Sequence, residues 1–322
     1  MKAIVYHNYG SPDVLKLEEV PKPTPRDDGV LIRVHAASAN AGDWHLLRGK
    51  PFLVRLMGYG LLKPKNKLLG WDIAGRVETV GRNVTQFKPG DEVFGACSGA
   101  FAEYACTSES RLVRKPDNVT FEQAAAAPVA ALTALQGLRD KGKIQPGQKI
   151  LINGAGGGVG TFAVQIAKSF GAEVTAVSST RNLVLARSIG ADFVIDYSQE
   201  DFTKSGQRYG LILDCFANHS LFACRRVLNP KGKYIVVGGP SGSMFGLLAG
   251  WISALVLSRL VSQKFIMFIA KLSKEDLTVM RDLMQAGKVT PVIDRRYPLS
   301  EVPDAIRYLE EGHVQGKVVI TM

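Results

Sequence analysis

The chain has 322 residues, of which 46% are hydrophobic and 21% are charged. These values are ordinary for a packed globular protein, so they exclude a disordered tail, a collagen-like fibre and a small disulfide scaffold. The formal net charge is +11. Because the basic residues are scattered, with no run of five or more, a basic surface is favoured over dedicated polyanion binding. The four cysteines are too few and too irregularly spaced for a disulfide framework, which favours a reducing, cytoplasmic setting.

The N-terminal third of the chain is rich in short β-type runs. Glycine and proline residues separate these runs from one another. We predict strands over Lys2–Tyr6, Val14–Val20, Gly29–Ala37, Ile73–Val80 and Glu92–Ala96. The pattern then changes to a helical composition at Ala124–Lys141, with Thr120 as the N-cap.

The following part of the chain alternates strands and helices. The strands are nearly continuous apolar runs, which is typical of a parallel sheet covered on both faces. The predicted strands are Lys149–Asn153, Glu173–Val177, Phe193–Ile195, Leu211–Cys215 and Tyr234–Val237, and the predicted helices are Val159–Phe170 and Leu183–Ile189. The tail predicts the helices Lys274–Gln285 and Val302–Glu311 and the strand Lys317–Ile320.

A glycine-rich turn follows the first strand of this alternating series, with the sequence NGAGGGVG over 153–160. Small residues let the backbone approach a pyrophosphate, and the free N–H groups at the start of the next helix stabilise its charge. Ala155 stands where a strict G-x-G-x-x-G motif has its first glycine, so the prediction depends on the turn together with the alternating elements. The predicted cofactor-binding residues of the turn are Gly154, Gly157, Gly158, Val159 and Gly160.

The residues after the second strand of the series indicate which dinucleotide binds. An NAD-preferring fold usually has Asp or Glu at this point, whereas this chain has Ser178, Ser179, Thr180 and Arg181. Hydroxyl groups and a guanidinium suit a 2′-phosphate, so the sequence predicts NADPH. The alternative is that Arg181 only begins the next helix on the surface, with NADH bound or no discrimination between the two cofactors.

Several motifs follow one another in a recognisable order. They are GWDIAGRV at 70–77, KPGDEV at 88–93, GAFAEY at 99–104 and GGVG at 157–160. In this order they resemble the medium-chain dehydrogenase/reductase superfamily, in its quinone oxidoreductase branch, over essentially the whole chain. The resemblance implies an α/β protein with a GroES-like β-rich catalytic domain at 1–124, completed by 271–322. It also implies a Rossmann domain with a doubly wound parallel sheet at 125–270, a cofactor between the two domains, and a homodimer.

The alcohol dehydrogenases of this superfamily hold a catalytic zinc ion. At two of their ligand positions this chain has Asn40 and Trp71, and the cysteine cluster of their structural zinc lobe is absent. Zinc sites in proteins use Cys, His or carboxylate ligands, usually three from the protein at a catalytic site. We therefore expect no metal.

Without zinc, the expected chemistry is hydride transfer from NADPH to a quinone or to an alkene conjugated to a carbonyl. Such an acceptor stabilises the incoming charge itself, so positioning and one or two hydrogen bonds suffice. The resemblance places Asn40 and Thr133 near the nicotinamide and Tyr197 beside the adenosine half. It places Gly238 and Gly239 at the end of the strand that borders the nicotinamide.

Three residues are candidates for catalysis: Asn40, Asp43 and Tyr59. Asp43 and Tyr59 are interpreted as hydrogen-bond or proton donors for the acceptor. Asp43 equally suits a helix N-cap or a turn, which is the commoner role of an aspartate in such a motif.

Two other functions are compatible with the same fold. The first is an NADPH-binding crystallin-like or RNA-binding protein with little catalysis, which would need a basic stripe with interleaved aromatics that the sequence does not display. The second is an alcohol dehydrogenase, which would bring zinc. No DNA partner is expected.

The apolar stretch 244–268 has hydrophobic residues at helical spacing. It suits a core helix of the Rossmann domain, an apolar lid over the acceptor pocket, or an interfacial helix drawn to lipid-borne quinones. We predict that it borders the substrate cleft, with contact to an anionic membrane surface as an extension of that hypothesis.

Overall fold

The computed structural model describes residues 1–52, 54–238, 258–259 and 261–322. The chain divides into two compact units, which we call unit 1 (Met1–Leu132 with Leu272–Met322) and unit 2 (Thr133–Lys271). Most of the apolar stretch 244–268 lies outside the described residues, and so does Gly239. The described end of that stretch contains a short strand, Lys264–Met267, which the sequence did not predict.

Unit 1 is built on an antiparallel sheet, with one parallel pair at its edge. Its strands are β1 (Lys2–Val5), β2 (Lys16–Glu19), β3 (Gly29–Ala39), β4 (Asp72–Val80), β5 (Glu92–Ala96), β6 (Tyr104–Ser108) and β7 (Leu112–Arg114), joined later in the chain by β14 (Ile293–Pro298) and β15 (Lys317–Thr321). The main sheet has the order β14-β15-β3-β4-β5-β7, with β6 also paired to β3, while β1 and β2 form a separate pair. The core lies under β3, whose residues are buried along almost its whole length.

Unit 2 is built on a parallel sheet. Its strands are β8 (Lys149–Asn153), β9 (Glu173–Ser178), β10 (Phe193–Asp196), β11 (Tyr209–Asp214), β12 (Leu228–Val236) and β13 (Lys264–Met267). The order is β10-β9-β8-β11-β12-β13, and every pairing is parallel. Counted within the unit this is the order 3-2-1-4-5-6 of the doubly wound dinucleotide-binding fold. The predicted fold class is therefore confirmed.

The helices pack on these sheets. They are α1 (Ala41–Arg48), α2 (Phe121–Ala126), α3 (Pro128–Leu135), α4 (Gly158–Ser169), α5 (Leu183–Ser188), α6 (Leu221–Arg226), α7 (Lys274–Gln285) and α8 (Val302–Glu310). None of the helices in the described part of the chain is long and apolar enough to cross a membrane.

The predicted helix Ala124–Lys141 is three helical pieces instead of one. Thr120 is its N-cap as predicted, because the Gln123 amide donates to Thr120 Oγ1 and the Thr120 amide donates to Gln123 Oε1. Pro128 has no N–H for the ladder, so a new helix begins there. Residues Gln136–Gly142 then form a wider π-helical turn.

Candidate active site

The glycine turn lies between β8 and α4, at the carboxyl edge of the parallel sheet. Gly154 has a φ of +83°, and a Cβ on Gly160 would lie 2.1 Å from the Gly154 carbonyl oxygen, so the turn and the helix require both glycines. The first N–H groups of a helix have no partner within it, and the N-cap Gly157 has no side chain to satisfy them. These are the features that a pyrophosphate site needs, so the turn fits a dinucleotide.

The carboxyl end of β9 lies beside this turn, since the amides of Gly154 and Ala155 both donate to the Val177 carbonyl. Ser178 is buried at the end of β9, and Arg181 is exposed in the helical turn Thr180–Asn182 that follows. The structure thus places the predicted 2′-phosphate residues next to the predicted pyrophosphate turn.

The end of β10 supplies a carboxylate that the sequence analysis missed. Asp196 pairs in register with Ser178 and accepts hydrogen bonds from the Thr180 hydroxyl and from the amide and hydroxyl of Ser198. These bonds lower the pKa of Asp196, with the Thr180 hydroxyl as the largest contribution. The next residue, Tyr197, is exposed, and its amide donates to the Ser178 carbonyl. Only parallel pairing brings β10 to this position, so no local signal in the sequence could have indicated it.

A second missed carboxylate, Asp214, is fully buried at the end of β11. Its carboxylate accepts four hydrogen bonds from its own loop and from two neighbouring strands. The donors are the amides of Phe216 at 2.9 Å and Ala217 at 2.7 Å, Asn153 Nδ2 at 2.9 Å and the Tyr234 hydroxyl at 2.6 Å. Asp214 therefore fixes the 215–218 loop against the strand that carries the glycine turn.

Gly238 follows β12 in the same edge region. A Cβ at this position would lie 2.3 Å from the Cys215 carbonyl oxygen, so the close approach of the two backbones requires glycine. Thr133 is buried on α3.

In unit 1, Asn40 is held by two buried charged residues. Its Nδ2 donates to Asp72 Oδ2 at 3.0 Å and to the Ser38 carbonyl at 3.4 Å, and its Oδ1 accepts from Lys317 Nζ. An amide has two N–H donors and two lone pairs on oxygen. Both donors are used and one lone pair is left, so Asn40 can act only as an acceptor toward a ligand.

Asp72 and Lys317 are both buried, with Nζ and Oδ2 separated by 3.8 Å. Burial raises the pKa of Asp72, while Lys317 and hydrogen bonds from Asn40 and Ser38 act in the opposite direction. Burial likewise lowers the pKa of Lys317, against the attraction of the carboxylates. Neither residue was singled out in the sequence, because they are far apart in the chain.

Asp43 lies on the first turn of α1 and is fully buried. Its Oδ2 accepts from the Asn40 amide at 2.8 Å. The N-cap of α1 is therefore Asn40 and not Asp43, which is the third residue of the helix and acts back on the N-cap amide. Its Oδ1 has no hydrogen-bond partner in the described part of the chain. Burial raises the pKa of Asp43 to about 7. The carboxyl is therefore able to hold a proton close to neutral pH.

Tyr59 ends a π-helical turn, Arg55–Tyr59, and its carbonyl accepts from the Tyr9 hydroxyl at 3.0 Å. A further phenol, Tyr6, was not among the catalytic candidates that the sequence predicted. Burial raises the pKa of Tyr6 to about 12, and the charges of Tyr9, Asp43 and Tyr59 add to this. Tyr6 is thus close enough to the two predicted donors, Asp43 and Tyr59, to interact with them electrostatically.

A catalytic zinc site usually has three protein ligands among Cys, His and carboxylate side chains. Within the described residues, no group of three or more His, Cys, Asp or Glu side chains could hold a metal ion. At the two positions where the zinc enzymes of the superfamily have ligands, this chain has Asn40 and Trp71. Asn40 forms hydrogen bonds with Lys317 and Asp72, and Trp71 is partly exposed.

Two family models match this chain. A model described as the alcohol dehydrogenase GroES-like domain matches residues 26–117, and one described as zinc-binding dehydrogenase matches residues 189–320. The first lies in unit 1, and the second extends from unit 2 into the C-terminal part of unit 1.

Known proteins resemble the chain over its full length. The chloroplast envelope quinone oxidoreductase homolog of Arabidopsis thaliana is 34% identical, over 99% of this chain and 98% of the relative. The chloroplastic NADPH-dependent alkenal/one oxidoreductase of the same plant is 35% identical, over 99% of this chain and 79% of the relative. The solved structure of the quinone oxidoreductase from Coxiella burnetii has a TM-score of 0.88 and 31% identity, covering 100% of this chain and 99% of that one.

These matches agree with the order of motifs, with the parallel sheet and with the glycine turn at its carboxyl edge. With two family models, relatives matched over nearly their whole length and a shared fold, the chain belongs to the medium-chain dehydrogenase/reductase superfamily, in its quinone oxidoreductase branch.

Proposed function

We propose that this protein is an NADPH-dependent, zinc-independent reductase that transfers a hydride to a quinone or an α,β-unsaturated carbonyl. The observation that carries the proposal is the glycine turn at 154–160 with hydroxyls and a guanidinium, instead of a carboxylate, directly after β9. The names of the relatives, a quinone oxidoreductase homolog and an NADPH-dependent alkenal/one oxidoreductase, support it.

The cofactor residues in this proposal belong to unit 2. The glycine turn, from Gly154 through Gly160, binds the pyrophosphate. Its donors are the amides at the start of α4, such as those of Gly158 and Val159, because the amides of Gly154, Ala155 and Gly157 already donate to backbone carbonyls. Ser178, Ser179 and Arg181 bind the 2′-phosphate, and Tyr197 lies along the adenosine. NADPH, when bound, supplies the hydride.

Thr133 and Gly238 of unit 2 are the nicotinamide residues of this proposal. Gly239, the third residue predicted for the nicotinamide, lies outside the described residues. Asn40 acts as a hydrogen-bond acceptor, because its N–H groups already bind Asp72 and the Ser38 carbonyl.

Reduction of a quinone or an enone also requires a proton. Asp43 holds one near neutral pH, because burial raises its pKa to about 7 and leaves its Oδ1 without a partner among the described groups. Tyr59 is the alternative donor.

Zinc independence is supported by the side chains at the ligand positions. Asn40 and Trp71 replace two ligands, and an amide already held by an ammonium and a carboxylate cannot coordinate as a thiolate or an imidazole does. A quinone or an enone needs no Lewis acid to accept a hydride, whereas alcohol oxidation in this superfamily does.

The test is a steady-state panel with purified protein. NADPH oxidation is followed with short-chain quinones, long-chain quinones and α,β-unsaturated ketones, before and after treatment with a chelator. We expect turnover with at least one acceptor class and no change on chelation. Stoichiometric zinc whose removal abolishes turnover, or alcohol oxidation alone, would overturn the proposal.

Cofactor preference has its own test. Arg181→Ala should weaken NADPH binding by about 1–3 kcal/mol and leave NADH binding nearly unchanged, since only NADPH has the 2′-phosphate. Arg187→Ala is the matched control, because Arg187 is an exposed arginine on the adjacent helix α5. Equal losses for both cofactors in Arg181→Ala would contradict the assignment.

Homodimer formation and a cytoplasmic location stay predictions of this proposal. The family resemblance supports the first, and the sparse cysteines support the second. Sedimentation equilibrium of the purified protein measures the oligomeric state.

A further inference from the structure

One stretch of unit 1 carries basic residues and no acidic ones. Between Asp43 and Asp72 the chain has no Asp or Glu. The same stretch contains six basic residues: Arg48, Lys50, Arg55, Lys63, Lys65 and Lys67. We call residues 48–67 the cationic segment. Its charge is more one-sided than that of the chain, which has 40 Lys and Arg against 29 Asp and Glu.

Large apolar side chains of the cationic segment are exposed. The exposed fractions are 48% for Phe52, 60% for Leu56, 52% for Leu61 and 85% for Leu62. Two adjacent leucines in water gain little from folding, because their apolar area is not removed from solvent. An exposed apolar patch beside basic residues is typical of a surface that binds a partner.

The backbone of the cationic segment is fastened to the body of unit 1. The Tyr9 hydroxyl donates to the carbonyls of Tyr59 at 3.0 Å and Gly60 at 2.6 Å, and the Lys65 amide donates to the Tyr59 carbonyl at 2.8 Å. Pro64 is buried between exposed neighbours. The segment is therefore an anchored loop that presents Leu61 and Leu62 outward.

Most of the positive charge is not cancelled within the described part of the chain. Arg48 forms a two-bond ion pair with Glu310, at 2.8 Å for each bond. Lys50, Lys63, Lys65 and Lys67 are all exposed, and among the described residues none of them forms an ion pair. The cationic segment thus offers ammonium groups next to leucines.

We infer that the cationic segment is a docking surface for an anionic lipid bilayer. Lysines attract the headgroups, and the exposed leucines and Phe52 enter the boundary between headgroups and acyl chains. Lipid matches both features, since an anionic bilayer offers negative headgroups to the lysines and a continuous apolar layer to Leu61 and Leu62. A nucleic acid would meet the charge but has no apolar layer. The inference goes beyond the proposed reductase activity and does not depend on it.

The experiment is flotation of the purified full chain with vesicles in low-salt buffer, without NADPH or acceptor. Vesicles of phosphatidylcholine alone are compared with vesicles that also contain phosphatidylserine. The charge variant is Lys63→Glu/Lys65→Glu/Lys67→Glu. Its matched control is Lys16→Glu/Lys88→Glu/Lys288→Glu, which changes the net charge equally at exposed lysines elsewhere in unit 1.

The second pair of variants tests the apolar contribution. Leu61→Ser/Leu62→Ser removes the exposed leucines, and Val184→Ser/Phe222→Ser removes exposed apolar side chains of unit 2 as the control. Far-ultraviolet circular dichroism and the thermal midpoint establish that each variant is folded.

We expect binding only to vesicles with phosphatidylserine. The charge variant should lower the partition coefficient by about a hundredfold or more, since it removes three cations at roughly fivefold for each. The leucine variant should also lower it, and both controls should bind as the wild type does. Absence of wild-type binding, or an equal loss in the charge variant and its control, would overturn the inference and leave the proposed reductase activity untouched.

Discussion

Asp72, the first residue of β4 in unit 1, and Asp214, the last residue of β11 in unit 2, are both fully buried carboxylates, yet they are stabilised in different ways. Asp72 has a buried ammonium, Lys317, within 3.8 Å. Asp214 is stabilised by four neutral hydrogen-bond donors, which are two backbone amides, one side-chain amide and one hydroxyl. Among the described residues no cation forms an ion pair with it.

The difference shows where each site is vulnerable. Removing the partner of a buried ion pair leaves an uncompensated charge, which is far more costly than removing one of several neutral donors. Both carboxylates accept several hydrogen bonds, those of Asp72 coming from Ser38, Asn40 and the Val129 amide. The difference between the units is therefore the charged partner: among the described residues Asp72 has the ammonium of Lys317, whereas Asp214 has neutral donors only. The three predictions below test this contrast.

The largest effect is expected for Lys317→Met. It leaves Asp72 unpaired and removes the donor from Asn40 Oδ1, so the free energy of unfolding should fall by about 3–5 kcal/mol. Urea denaturation measures it. The double variant Lys317→Met/Asp72→Asn should recover part of the loss, because no buried charge remains. A double variant no more stable than the single one would show that the charge is not the cause.

The next effect concerns pH and Asp43. Burial raises the pKa of Asp43 to about 7 in the folded protein. Because the folded pKa is raised, the stabilisation is complete below the unfolded value of about 4 and is lost as pH rises through about 7. The wild type should lose on the order of 4 kcal/mol across this range more than Asp43→Asn does, since one pKa unit corresponds to about 1.4 kcal/mol. Urea denaturation at successive pH values measures both proteins.

The charge of Asp72 adds to the rise in the pKa of Asp43, so the difference between the two proteins measures Asp43 together with its coupling to Asp72. Parallel curves for the wild type and Asp43→Asn would show that Asp43 is ionised throughout the range and holds no proton near neutral pH.

The smallest effect is expected in unit 2. Tyr234→Phe removes one of the four donors to Asp214 and leaves three, so the free energy of unfolding should fall by about 1–2 kcal/mol. A loss as large as that of Lys317→Met would mean that the three remaining donors do not stabilise the Asp214 carboxylate. The contrast between the two units would then fail.

Much of the fold follows from local patterns in the sequence. Glu92–Ala96, Lys149–Asn153 and Lys274–Gln285 have the predicted bounds, because apolar alternation, a continuous apolar run and a helical stripe are each local signals. By contrast, β14 has the sequence IDRRYP, which is mostly polar, and pairing with β15 makes it a strand. The Val14–Val20 prediction also starts too early, since Pro12–Val14 form a helical turn.

In the candidate site too, the sequence predicted the contiguous motifs and missed the contacts between residues that are far apart in the chain. The glycine turn and the residues after β9 are contiguous motifs, so the sequence indicates them directly. Asp214 was missed because its partner Tyr234 is 20 residues away, and Lys317 because 277 residues separate it from Asn40. Such pairs are determined by sheet pairing, which a single sequence does not display.

The position of β15 has a consequence for the order of folding during translation. β15 pairs with β3, and Lys317 donates to the Ala39 carbonyl 278 residues earlier in the chain. Until the ribosome has released residues 317–321, the sheet of unit 1 has an open edge and Asp72 has no ammonium beside it. The whole of unit 2 is synthesised in this interval and contains all of its own strands. Unit 2 can therefore mature first. Meanwhile residues 36–39 of β3 in the nascent unit 1 are unpaired on the side that β15 later covers, and they are open to chaperones or to neighbouring nascent chains.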